Sequence, residues 1–133
     1  MGDALPYADL GTGRTATAIA ASPFHQCAVL DNHDVKCWGT NQFGQLGLGD
    51  ARPRGGAPGD MGDALPALDL GTGRRGAGVA AMYTASCAVL DDARVKCWGD
   101  GLAGQHGSGL ALILGDRPGE MGDNLPYAEL GGY

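Results

Sequence analysis

Residues 27–39 read Cys-Ala-Val-Leu-Asp-Asn-His-Asp-Val-Lys-Cys-Trp-Gly, and residues 87–99 read Cys-Ala-Val-Leu-Asp-Asp-Ala-Arg-Val-Lys-Cys-Trp-Gly. In each stretch, two short apolar runs flank a polar turn, which predicts a β-hairpin. If Cys27 faces Cys37, three residues remain for the loop. The last loop position, His33 or Ala93, must then adopt a left-handed conformation that glycine would take more easily.

The hairpin belongs to a repeat of sixty residues. Met-Gly-Asp-Ala-Leu-Pro begins at residues 1 and 61, and Met-Gly-Asp-Asn-Leu-Pro begins at residue 121. Residues 1–60 and 61–120 are identical at 32 of 60 positions. Each unit contains short apolar stretches between turn residues, and its long loop is rich in glycine, proline and aspartate. The pattern predicts an all-β repeat with four short strands in each unit.

The cysteines recur with the hairpin, which makes their chemistry informative. Facing positions on antiparallel strands lie about as far apart as a disulfide requires, so bridges Cys27–Cys37 and Cys87–Cys97 are the leading interpretation. Buried free thiols and a zinc site are the alternatives, although no Cys-x-x-Cys pair or paired histidines support zinc. Disulfides predict an oxidising compartment: secreted, periplasmic or the lumen of an organelle, with a thylakoid lumen included.

The residues after each hairpin carry a family likeness. Trp38-Gly39 is followed by Asn-Gln-Phe-Gly-Gln-Leu-Gly-Leu-Gly-Asp at residues 41–50, and the second unit keeps Trp98-Gly99 and Gly104-Gln105 but has His106 in place of leucine. This pattern resembles the regulator of chromosome condensation repeat, in a disulfide-containing variant. The resemblance covers both units and is clearer in the first.

The resemblance implies about two four-stranded blades of a β-propeller, either an open partial propeller or an excerpt of a larger ring, usually of about seven blades. Residues 1–13 would complete a preceding blade and provide a link, residues 14–73 would form the first blade, and residues 74–133 the second. Residues 65–70 and 125–130 would supply the closing strands. Trp38 and Trp98 are expected to pack between blades as structural core.

Propellers of this family generally act as binding platforms, so the expected function is a non-enzymatic protein-interaction or scaffold module. Because open sheet edges invite pairing, we expect a larger assembly to cover them. An accessory subunit on the lumenal or extracellular side of a membrane complex, a photosynthetic one included, would satisfy this expectation. The alternatives are guanine-nucleotide exchange on a small GTPase and inhibition of a secreted enzyme.

One loop differs between the units. Residues 108–114 read Ser-Gly-Leu-Ala-Leu-Ile-Leu, where the first unit has a polar loop. These residues either face a partner or fold back over their own blade, and the sequence leaves both possibilities open. The candidate partner-facing residues are Leu110, Leu112, Ile113 and Leu114.

Composition and motifs argue against several other functions. The net charge of −6 and the absence of a basic run predict no nucleic-acid binding, and no apolar run is long enough to span a bilayer. The three histidines, His25, His33 and His106, do not recur between units, so no catalytic residue is expected. Gly-Thr-Gly-Arg at residues 11–14 lacks the remainder of a phosphate-binding signature. The sequence therefore indicates no enzyme, no metal site and no cofactor.

Overall fold

A computed structural model describes residues 2–131, which form two antiparallel sheets, one from each repeat. The described residues contain no α-helix and only three short 3₁₀ turns, at Gly2–Ala4, Gly62–Ala64 and Gly122–Asn124. The first sheet has the order β1-β2-β3 and the second β4-β5-β6-β7. The strands are β1 Ala16–Ala21, β2 His25–Leu30, β3 Val35–Gly39, β4 Gly76–Ala81, β5 Ala85–Leu90, β6 Val95–Asp100 and β7 Ile113–Leu114.

Both hairpins have the register that the sequence predicts. Cys27 pairs with Cys37 in the first sheet, and Cys87 pairs with Cys97 in the second. The three-residue turn between the strands requires a residue with positive φ, and His33 and Ala93 take φ values of 69° and 67°. The local pattern therefore determines both the strand pairing and the conformation of the turn.

The fourth of the four short strands expected in each unit is the least developed. In the second sheet it is only the two-residue β7, and in the first sheet it is reduced to a bridge between Gly39 and Arg54. Farther along the same edge of β3, the Leu68 N–H donates to the Val35 carbonyl at 2.8 Å. Two separate segments therefore pair with the edge of β3, because a glycine- and proline-rich loop separates residue 54 from residue 68.

The predicted domain boundaries at residues 13 and 73 stay a prediction. Met1, Gly132 and Tyr133, which lie in the first and last of the predicted domains, fall outside the described residues. Within the described part, the hydrogen bond from Leu68 to β3 recurs in the second repeat, where the Ala128 N–H donates to the Val95 carbonyl at 2.8 Å.

A buried lysine in each repeat explains why the Met-Gly-Asp turn recurs. Lys36 Nζ donates to the carbonyls of Leu10 and Gly62 at 2.9 and 2.8 Å. Thr12 adds two hydrogen bonds to the Asp63 carboxylate, at 2.9 Å from its N–H and 2.6 Å from its hydroxyl. These contacts attach the turn to the preceding sheet. The second repeat has the same arrangement, formed by Lys96, Leu70, Gly122, Thr72 and Asp123.

The two sheets share one apolar core. Leu46, from the long loop of the first repeat, is fully buried in the same cluster as Leu90 and Trp98 of the second repeat. The Cys27–Cys37 bridge also lies in this core, with both cysteines at 0% exposure. The two blades therefore pack face to face, and the residues at their contact are described below.

Candidate protein-interaction site

All four cysteines form disulfides, Cys27–Cys37 and Cys87–Cys97, with sulfur–sulfur distances of 2.10 and 2.04 Å. The leading interpretation of the cysteines is therefore confirmed, and the zinc and free-thiol alternatives are wrong. Each bridge links facing positions of one hairpin, so it stabilises a single blade and does not join the two blades. Two such bridges are consistent with an oxidising compartment.

The blades meet at the backbone carbonyl of Gln45, in the long loop of the first repeat. This carbonyl accepts a hydrogen bond from Trp98 Nε1 at 2.9 Å and another from Ser86 Oγ at 2.8 Å. All three residues are buried, so both donors and the acceptor are withdrawn from water. Because a buried polar group without a partner is costly, these bonds specify how the loop sits on the second blade.

His25 completes this buried contact from the first blade. Its Nε2 lies 2.6 Å from Ser86 Oγ, and its Nδ1 lies 3.1 Å from Ser22 Oγ. Burial lowers the pKa of His25, which favours the neutral imidazole at this position. A histidine beside a serine resembles a base and a nucleophile, but Ser86 is fully buried and a substrate would not reach it. The pair links the two blades.

His106 occupies the position of Leu46 in the second repeat and is also buried, at 2% exposure. Neither ring nitrogen has a hydrogen-bond partner among the described residues. Burial lowers the pKa of His106, and the negative charge of Asp100 partly opposes this effect. The backbone of Gly99 and Trp98 also lies near enough to the ring to oppose it, although neither contact has the geometry of a hydrogen bond. The third histidine, His33, lies exposed in the hairpin turn, so the structure does not bring the three together.

The two tryptophans are not equally buried, and the expectation that both are structural core stays a prediction. Trp98 has 0% exposure and packs against the first repeat, whereas Trp38 keeps part of its surface exposed. The cause is the order of the blades: the face that carries Trp98 has a neighbouring blade, and no described residue forms a blade over the face that carries Trp38.

The apolar segment of the second repeat divides into two parts. Ile113 and Leu114 form β7 and pair with Asp100 and Gly99, so their backbone folds back on its own blade. Leu110 and Leu112 remain exposed, at 46% and 47%. Of the two possibilities that the sequence left open, backbone pairing with the edge of β6 places the last two residues on their own blade, and a partner-facing role for the segment stays a prediction.

An exposed patch that the sequence did not reveal lies where the two blades meet. Phe24 and Tyr83 approach each other with ring centroids 5.8 Å apart, and they are 50% and 65% exposed. Met82, beside Tyr83, is 38% exposed. We call Phe24, Met82 and Tyr83 the rim patch. These residues occupy different positions in the two repeats, so the alignment of the repeats gave no signal for the patch.

Two absences within residues 2–131 bear on other kinds of site. Nowhere in this range do three or more histidine, cysteine, aspartate or glutamate side chains converge closely enough to hold a metal ion. The same range also lacks a helix with the length and apolar character needed to cross a membrane.

Comparison with known protein families gives a match within the first repeat. Residues 16–45 match the Regulator of chromosome condensation (RCC1) repeat, over β1 to β3 and the start of the long loop. This segment of the chain is therefore similar to an RCC1 repeat. The resemblance noted in the sequence is thereby confirmed. No protein among those with curated function matches this chain.

The solved structure of Prp20p shares the fold. Prp20p from Saccharomyces cerevisiae, described with its binding properties to Gsp1p and histones, matches 90% of this chain with a TM-score of 0.58 at 20% identity. Yeast RCC1 (Prp20) bound to Kap60 matches 62% of the chain, with a TM-score of 0.44 at 24% identity. Human WBSCR16 matches 84%, with a TM-score of 0.33 at 16% identity.

The first of these matches confirms the predicted fold class, all-β blades of the RCC1 propeller type in an open arrangement. The chain corresponds to 26% of the length of Prp20p, 19% of the Kap60-bound RCC1 chain and 37% of WBSCR16. It therefore spans only a part of each related structure.

Proposed function

We propose that this chain is a non-enzymatic protein-interaction module, an accessory subunit that docks on a larger assembly in an oxidising compartment. The observation that carries this proposal is the rim patch, where Phe24, Met82 and Tyr83 expose apolar surface at the junction of both blades. Aromatic residues and methionine are enriched at protein interfaces, and a cluster of them on the surface marks a contact site more strongly than scattered apolar residues do.

The position of the rim patch supports this function. Phe24 precedes β2 and Tyr83 precedes β5, so the turns of two different blades present the patch together. A hydrogen bond within each turn fixes its conformation. Ser22 Oγ accepts from the His25 N–H at 3.1 Å, and the Met82 N–H donates to the Ala85 carbonyl at 2.9 Å. A rigid support of this kind reduces the entropy that a partner must overcome on binding.

The two disulfides support the choice of compartment. Both lie within hairpins whose strands form the centre of each blade, and such structural bridges form and persist mainly in oxidising compartments. A secreted, periplasmic or lumenal assembly satisfies this condition, a photosynthetic membrane complex included.

The test is affinity capture by the disulfide-bonded protein from an extract of its own source, without reducing agent. We expect a partner in stoichiometric amount, retained by the wild type and lost by the double variant Phe24→Ser, Tyr83→Ser. The matched control is Tyr7→Ser, because Tyr7 is 99% exposed and lies outside the rim patch. Capture of nothing in stoichiometric amount, or equal capture by the double variant, would contradict the proposal.

Guanine-nucleotide exchange and inhibition of a secreted enzyme stay predictions for the same surface. An exchange factor would accelerate nucleotide release from a small GTPase, and an inhibitor would lower the rate of a secreted hydrolase. Either activity, if abolished by the double rim-patch variant and kept by Tyr7→Ser, would replace the accessory-subunit role.

A further inference from the structure

The contact between the two blades joins two different surfaces, each of which occurs a second time in the chain. One surface is the tail loop, residues 41–49 in the first repeat and 101–109 in the second. The other is the head face, formed by Ser86, Trp98 and Gly115 in the second repeat and by Gln26, Trp38 and Gly55 in the first. In the structure, the first tail loop lies on the second head face, so one tail loop and one head face remain.

The second tail loop already has the conformation of the first. The Phe43 N–H donates to Gln45 Oε1 at 2.9 Å, and the Ala103 N–H donates to Gln105 Oε1 at 2.8 Å. Three glycines in each loop take matching positive φ values: 73°, 69° and 76° in the first, and 83°, 64° and 77° in the second, at Gly44, Gly47, Gly49, Gly104, Gly107 and Gly109. The second loop is therefore preorganised for the contact that the first one makes.

The two loops differ in what covers them. Gln45 has only 1% exposure beneath the second blade, whereas Gln105 is exposed. The two head faces differ in the same way, since Gly115 is buried and Gly55 is exposed. The chain therefore exposes one tail loop and one head face, in addition to the pair that forms the contact between its two blades.

The polar groups of the two uncovered surfaces complement each other. In the assembled contact, Trp98 Nε1 donates to the Gln45 carbonyl, and the Gly49 N–H donates to the Gly115 carbonyl at 3.0 Å. The equivalent donors are Trp38 Nε1 and the Gly109 N–H, and neither donates a hydrogen bond within residues 2–131. Their equivalent acceptors would be the carbonyls of Gln105 and Gly55. At the position of Ser86, Gln26 supplies an amide donor instead of a hydroxyl.

We propose that the tail loop 101–109 of one copy of this chain docks on the Trp38 head face of a second copy, and that the chain assembles head to tail. This inference rests on the proposed interaction function and names a second copy as one partner. A head-to-tail contact of this kind repeats, and it closes into a ring when the rotation per copy allows.

The experiment measures the mass of the purified, disulfide-bonded chain by sedimentation or light scattering over a range of concentrations. We expect a reversible increase in mass with concentration. Trp38→Ala should weaken association by roughly tenfold or more, because it removes both the indole donor and the apolar surface of the head face. A monomer at every concentration would overturn the proposal.

The tail loop offers a matched pair of alanine variants. A Cβ at Gly44 would lie 2.5 Å from the Asp116 nitrogen and 2.7 Å from the Gly115 carbonyl carbon, whereas a Cβ at Gly49 would lie 3.6 Å from its nearest neighbour. In the uncovered loop, a Cβ at Gly104 or Gly109 meets nothing within 4 Å. Gly104→Ala should therefore block docking, and Gly109→Ala, with the same cost of positive φ, should leave it intact.

Mixing the variants separates this contact from any other. Trp38→Ala keeps an intact tail loop and Gly104→Ala keeps an intact head face, so together they should form a dimer that grows no further. Association that is unchanged by both substitutions, or a mixture that stays monomeric while the wild type associates, would overturn the assignment of the surfaces. If the wild type does not self-associate but still captures a partner through the rim patch, the head-to-tail contact is contradicted and the proposed function stands. If it self-associates but captures no partner, the proposed function alone is contradicted.

Discussion

Trp38 and Trp98 occupy the same place in two blades of related sequence, yet only Trp98 is fully buried. Each indole stands on the third strand of its sheet, directly after a bridged cysteine. The difference arises outside the blade, because the tail loop of the first repeat covers Trp98 and no described residue supplies such a loop to Trp38. A blade of this kind is therefore complete only with its neighbour.

The tryptophans give the largest expected difference between the repeats. Trp98→Ala should lower the free energy of unfolding by about 3–5 kcal/mol, since it empties a fully buried site and removes a donor to the Gln45 carbonyl. Trp38→Ala should cost less than about half as much, because part of that side chain is already in water. Urea unfolding of the oxidised protein, at concentrations low enough to keep it monomeric, measures both. Equal losses would show that the two blades do not differ as the structure indicates.

The positions of Leu46 and His106 provide a sharper comparison. His106→Leu should raise the free energy of unfolding by about 1 kcal/mol or more, because it removes two buried ring nitrogens without partners. The control is Leu46→His, which should destabilise, since Leu46 lies in the shared apolar core. The same urea titration reports both changes. A loss of stability in His106→Leu would mean that the imidazole makes a favourable contact.

The pH dependence of stability follows from the two buried histidines. Burial lowers the pKa of both His25 and His106 from the usual 6.5, so the folded protein binds fewer protons than the unfolded chain. Their contribution to stability is fully present above about pH 6.5 and is lost as the pH falls through that value toward the folded pKa. Urea unfolding between about pH 7.5 and about pH 5.5 should show this decrease. His106→Leu should show a smaller decrease, and an unchanged pH dependence would contradict the assignment.

The hairpin turns give the smallest expected effect. His33→Gly and Ala93→Gly should each stabilise by less than about 1 kcal/mol, because glycine takes positive φ without steric cost but also gains entropy in the unfolded chain. Because both turns have the same geometry, the two changes should be similar in size. Thermal unfolding at one pH measures them. A clear loss of stability at only one turn would show that its side chain makes a contact that the other lacks.

Much of the local structure was predictable. Alternation of apolar residues, the ten-residue spacing of the cysteines and the short polar turn together determine strand pairing, disulfide connectivity and the positive φ of His33 and Ala93. These features depend on residues close together in the chain, so few alternatives compete. The fourth strand was less predictable, because its two pieces pair with the edge of β3 across a long glycine- and proline-rich loop.

The candidate sites depended on contacts between the repeats. Nothing in the sequence around Phe24 and Tyr83 indicates that their rings meet, since 59 positions separate them and their places in the repeats differ. The split of the apolar segment into an exposed Leu110 and a paired Leu114 likewise depends on the free edge of β6. The exposure of these side chains depends on which part of one repeat packs against the other, and not on the residues next to them in the chain.

The sequence by itself determined the repeat, the hairpins and their disulfides, because each is specified by the period and spacing of residues within one unit. Only the tertiary structure decided that Gln45 is covered and Gln105 is exposed, although both lie in loops of the same conformation. The physical reason is that a repeat encodes both surfaces of its interface in every copy, whereas burial requires that another blade occupy the adjacent position.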